Sequence, residues 1–174
     1  MQLRGLTEKQ LPYAFEKLDM SPAVFAGKRL RVGIDEIQYS WPEGRHLAEK
    51  LLDLFHFVQL PAETEVSFTG ADHRRQFTDI SLSQSPLNWE VVIASELFCT
   101  NDSLEMAFQV ICALLQYFRQ SAHYNENVRS WLARKGVIHV REVVFDPDRQ
   151  GKLNKQLAET AALSRKLIER IPVN

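Results

Sequence analysis

Cysteine is scarce in this 174-residue chain: there are two, Cys99 and Cys112. That number is too small for the disulfide framework of a secreted domain and offers no CxxC-type metal spacing, so a reducing compartment is expected. The seven glycines stand alone. Without a Gly-rich loop after a strand, neither a P-loop nor a dinucleotide fingerprint can cradle phosphates through backbone N–H groups. Charge of one sign is missing too, since 21 basic and 22 acidic residues leave a net charge of −1. Such a balance provides no long-range field for nucleic acid or anionic lipid, and neither is expected as a partner. Long apolar runs are also absent. The most apolar stretch, Leu104 to Phe118, is interrupted by Glu105, Gln109 and Gln116 and falls short of the ~20 residues a membrane span requires. The charged opening Met1–Leu11 does not read as an export signal, which makes the cytoplasm the expected location. The histidines, at 46, 56, 73, 123 and 139, never fall at HExxH-like spacing, so no metal and no cofactor are expected.

What is present is a globular composition, 45% hydrophobic and 25% charged, that fits one domain over residues 1–174. A short helix is predicted over Pro12–Leu18. Leu30, Val32 and Ile34 then alternate as a strand that slips phase, and so bulges, near Asp35-Glu36. Ser40-Trp41-Pro42-Glu43 reads as a capping box opening a helix to about Val58. Strands follow at Glu65–Thr69, Phe77–Ser83 and Trp89–Ser95, read as an antiparallel meander. Asp102-Ser103-Leu104-Glu105 caps the helix Leu104–Phe118, whose polar positions form one narrow stripe on an apolar cylinder. That helix is expected to be the central, most buried element, with a homodimer interface as the alternative. A helix over Asn125–Arg134, a strand over Val137–Phe145 and a closing helix from Lys152 to Arg170 complete the chain. The expected fold is α+β, a mixed or antiparallel sheet packed with a central buried helix, in the order α-β-α-β-β-β-α-α-β-α.

The residues that no apolar periodicity demands cluster in two places. Asp35, Glu36, Trp41 and Glu43 lie at the strand-helix junction, and Asp72, His73, Arg74 and Arg75 lie in a hairpin loop. An aromatic anchor among charges of both signs suits the binding of another protein. Dispersed residues near Asp35, His46 or Cys99 would instead serve a small hydrolase-like enzyme, with Cys99 activated by the following helix. An oligomeric, chaperone-like module is the third reading.

The stretch Asp79-Ile80-Ser81-Leu82-Ser83-Gln84-Ser85-Pro86-Leu87, then Glu90-Val91-Val92-Ile93-Ala94, with Trp131-Leu132 and Gly136-Val137-Ile138-His139 further on, resembles suppressor-of-fused-like domains. Bacterial members of that family commonly act as immunity proteins. The resemblance therefore implies a non-enzymatic, protein-binding role in which the chain neutralises a toxin partner.

Overall fold

Leu30, Val32 and Ile34 alternate as expected along β1 (Leu30–Asp35), which opens a computed structural model describing residues 30–35, 41–69 and 78–170. The predicted helix Pro12–Leu18, the capping Ser40, Glu36 and the loop residues Asp72, His73, Arg74 and Arg75 lie outside the described residues. Helix α1 (Pro42–Leu54) follows, then β2 (Thr64–Thr69), β3 (Ile80–Gln84), β4 (Trp89–Ile93) and β5 (Glu96–Asn101). Four helices close the chain: α2 (Leu104–Ser121), α3 (Val128–Lys135), α4 (Val137–Phe145) and α5 (Pro147–Glu169). The α+β architecture is as expected, but the sheet is not a simple meander. Its strands lie in the order β1-β2-β3-β4-β5. The first three run parallel and the last two pairings are antiparallel. The reason lies in α1: a helix between two strands carries the chain back to its starting end, so β1 and β2 must run the same way.

Register builds the core in rows. Val32, Val66, Ile80 and Ile93 stand side by side, as do Ile34, Phe68, Leu82 and Val91. This face meets α1, through Leu47, Ala48 and Leu51, and α2. The opposite face carries Ser67 beside Ser81 and Thr69 beside Ser83, all buried. Thr69 donates to the Leu82 carbonyl at 3.2 Å, and the Ser67 and Thr78 hydroxyls share a 3.2 Å bond.

Helix α2 is the expected centre. Ser103 caps it, its hydroxyl accepting from the Met106 N–H at 3.1 Å, and Phe108, Ile111, Leu114 and Phe118 are all but fully buried. At about 1.5–3 kcal/mol for each large apolar side chain, this helix is the main source of hydrophobic stabilisation. Its polar stripe starts in water at Glu105 and becomes buried at Cys112 and Gln116, with α5 reaching it at Gln109. Gln109 donates to Glu105 at 2.9 Å, and Asn154 of α5 donates to Gln109 at 2.8 Å.

Two expectations are corrected here. Val137–Phe145 is a helix, not a strand: Val140 and Val144 are both fully buried four residues apart, a spacing that puts them on one helical face. The strand expected over Trp89–Ser95 ends at Ile93, and Glu96–Asn101 forms a further strand, β5. At Phe98 the pairing with β4 slips by one residue, because Val92 faces Leu97 while Val91 faces Cys99. Arg141 of α4 reaches this bulge and donates to the Phe98 and Leu97 carbonyls at 3.1 and 2.9 Å. No helix among the described residues is long and apolar enough to cross a membrane.

Candidate functional site

The topology sends the end of β5 into α2 at the same end of the sheet where α1 begins, because Asn101 pairs with Trp89 and Trp89 stacks on Trp41. Open parallel sheets commonly bind ligands beyond the carboxyl ends of their strands. At this end lies a cavity of about 470 Å³, lined by Pro42, Glu43, His46 and Leu47 of α1 and by Leu104 and Glu105 of α2.

Its α1 wall is set by Trp41. This residue occupies the cap position without a side-chain cap bond; its carbonyl accepts the first helical hydrogen bond, from the Arg45 N–H at 3.0 Å, and Pro42 supplies the first-turn geometry. The indole folds back over Gly44, where an added Cβ would sit 2.1 Å from Trp41 Cε3. It also stacks on Trp89 with centroids 5.6 Å apart and planes 8° apart, and tilts against Phe68 at 6.4 Å. Trp41 is therefore 7% exposed. As an exposed interface anchor it is corrected: it fixes the helix entry from within. Glu43, expected beside it, is exposed and lines the cavity.

Glu105 accepts from Gln109, a neutral donor. Among the described residues, neither Glu43 nor Glu105 has an ion-pair partner. The structure thus joins Glu43 to His46, and adds Leu104 and Glu105, which the sequence presents only as a helix start. The available signal was that two capping sequences each follow a strand.

Cys99 is not brought to this group. It lies within β5, half-buried, rather than at a helix terminus. Burial pushes its thiol up from the ordinary range, more than the Asn101 amide at 3.3 Å and the Arg141 charge lower it. Cys112, deep in α2, is pushed up to about 12 by burial. Both are held as thiols at neutral pH, whereas nucleophiles and metal ligands must be thiolates. Among the described residues, no three His, Cys, Asp or Glu side chains converge to hold a metal ion.

A second polar cluster lies on the far side of α2. The Tyr117 hydroxyl and His139 Nε2 are 3.1 Å apart, and Lys135 sits 5.9 Å over the Tyr117 ring.

No protein-family model matches the chain. It is 26% identical over 130 residues to the assimilatory nitrate reductase electron transfer subunit of Bacillus subtilis (strain 168), an alignment covering 68% of this chain and 17% of that protein. It is 25% identical over 182 aligned positions to the NAD(P)H nitrite reductase of the same organism, covering 95% of this chain and 23% of that protein. The chain spans about a fifth of the length of these curated relatives. Similarity to two reductase components overturns the expectation of an immunity protein that binds a toxin, and the chain is similar to segments of nitrate- and nitrite-reducing enzymes.

Proposed function

We propose that this chain is a module of a nitrate- or nitrite-reducing electron-transfer system, standing in for one segment of a larger reductase and working beside the polypeptides that carry the redox groups. The observation that carries the reading is the alignment with the NAD(P)H nitrite reductase, which takes in 95% of this chain. A chance match to a short motif would not extend so far. The described residues do not fit the dinucleotide in that relative's name. In the β1-α1-β2 crossover, where the first turn of a helix would meet a pyrophosphate, the one glycine is filled by the Trp41 indole. With two thiols in the whole chain and both raised by burial, a four-thiolate iron–sulfur site does not fit either. On this reading the module acts together with a protein partner that carries the redox group.

The test is genetic and biochemical. In cells that encode the chain, its deletion should slow growth on nitrite or nitrate as the nitrogen source and lower NAD(P)H-dependent nitrite consumption in extracts, with both restored by the gene supplied in trans. Unchanged growth and unchanged nitrite consumption would refute the reading.

A further inference from the structure

We propose that the outward face of α4 is a two-fold interface through which two copies of this chain associate, their α4 helices side by side and parallel. An α-helix turns about 100° per residue, so Ile138, Arg141, Glu142 and Phe145 share one arc about 100° wide. Val140 and Val144 lie on the other side of the helix and are fully buried. On the outward arc Ile138 is 70% exposed and Phe145 40%. Leu97 of β5, whose carbonyl accepts from Arg141, adds a third large apolar side chain at 42% exposure. Large apolar groups left together in water mark an interaction surface.

The charges select the occupant. Ile138 and Phe145 run down the middle of the arc, with Arg141 on one flank and Glu142 on the other. When two such helices lie parallel about a two-fold axis, the left flank of one meets the right flank of its mate, as at the charged positions beside a parallel coiled-coil seam. Arg141 then faces the second copy's Glu142, Glu142 faces its Arg141, and Ile138 and Phe145 each meet their own kind. An antiparallel pair would set Arg141 on Arg141 and Glu142 on Glu142, which like-charge repulsion disfavours.

Both charged groups can take part. Glu142 is exposed, and among the described residues it has no ion-pair partner. Two of the five N–H groups of Arg141 go to the Phe98 and Leu97 carbonyls, and those that remain suit a carboxylate. His139 falls off the arc and is bonded to Tyr117. Counting the charged residues that border the patch, Lys135 and Arg141 against Glu96, Glu142 and Asp146 leave one negative charge per copy. Salt screens that excess beyond about 8 Å at physiological ionic strength. A contact built on one nine-residue helix, about 14 Å long, lies at the small end of specific interfaces. The dimer is accordingly weak, with a Kd on the order of 100 µM. This pairing does not depend on the proposed function.

Sedimentation equilibrium of the full chain from about 10 µM to about 1 mM should show the mass rising from monomer toward dimer. Glu142→Arg, which sets like charges against each other, and Ile138→Asp, which puts a carboxylate in the seam, should each raise the Kd about tenfold or more. Far-ultraviolet circular dichroism should stay unchanged in both, because both side chains are exposed. Orientation is read by mild oxidation in a Cys99→Ala background. Chains with Ile138→Cys and chains with Phe145→Cys, mixed together, should give the two like-with-like disulfide dimers rather than the mixed one that an antiparallel pair would form. A monomer at every concentration, a dimer untouched by both substitutions, or the mixed disulfide as the main product would overturn the proposal.

Discussion

The β4–β5 turn is the place where backbone conformation and residue type disagree most openly, and replacing Ala94 and Ser95 should stabilise the fold. Ile93 pairs with Glu96, so the loop is two residues long, with Ala94 at φ 49° and Ser95 at φ 71°. Two-residue hairpins with both φ positive strongly prefer Asn-Gly, because the left-handed region costs an ordinary L-residue about 1–2 kcal/mol. Glycine at 95 removes that cost, while the extra freedom of the unfolded chain takes back about 0.4–1 kcal/mol. The change also loses a long, exposed bond from Arg129 to the Ser95 hydroxyl at 3.4 Å. A net gain of about 0.5 kcal/mol remains for Ser95→Gly, and Ala94→Asn, with a side chain that tolerates this region, should bring the pair to about 1 kcal/mol. Urea denaturation should show a higher midpoint at unchanged slope, with a rise in Tm of about 2–4 °C. Ser95→Ala separates the two causes, since it deletes the hydroxyl but keeps the strained φ, and it should be slightly destabilising. If the double variant is no more stable than the parent, or if Ser95→Ala gains as much as Ser95→Gly, the backbone argument fails.

Leu114→Ala and Phe108→Ala in α2 should each cost about 2–5 kcal/mol in chemical denaturation, as both leave cavities in the centre of the core. Gly44→Ala should cost about 1–3 kcal/mol through overpacking against the Trp41 indole and should alter the near-ultraviolet circular dichroism of the Trp41–Trp89 stack; an unchanged spectrum would count against this packing. Neither cysteine should react with Ellman's reagent as fast as free cysteine at pH 7.5, with Cys112 blocked until unfolding. Glu126 takes two 2.7 Å bonds from Arg134 and a third from the His123 N–H, and the Arg134 guanidinium holds its carboxyl down at about 2. A depressed folded value means that this stability is present above the ordinary range near 4.5 and is lost as pH falls toward about 2. Glu126→Gln should accordingly flatten stability between pH 5 and pH 2, a modest effect given the exposure of Arg134.

How far the sequence could be read depended on whether local pattern and tertiary demand agreed. They agree in α2, where the stripe of Glu105, Gln109, Cys112 and Gln116 on an apolar cylinder announces burial on most sides. They disagree in Val137–Phe145, where the abundance of valine suggests a strand but Val140 and Val144 are set at helical spacing. Short apolar runs such as Thr64–Thr69 and Ile80–Gln84 look alike in parallel and antiparallel sheets, and only the helix between β1 and β2 reveals the direction. β5 was not separated from β4 because its bulge at Phe98 breaks the alternation that marks a strand. Of the candidate site, the sequence offered Glu43 and His46 as separate hints. The contribution of Leu104 and Glu105 depends on two helix starts, some sixty residues apart in the chain, meeting at one end of the sheet. Trp41 was misread because an aromatic among charges looks the same whether it faces outward or turns back over a glycine.

The Arg141 contact bears on behaviour at high concentration. Among the described residues β5 is the outermost strand on its side of the sheet, and a bare outer strand is a template on which a strand from another molecule can pair and seed fibres. The bulge twists the strand, and the guanidinium already engages two of its carbonyls. One side chain from α4 is therefore expected to act as a cap against polymerisation. Arg141→Ala would leave folding largely intact while making the protein prone to thioflavin-positive aggregation from this side of the sheet.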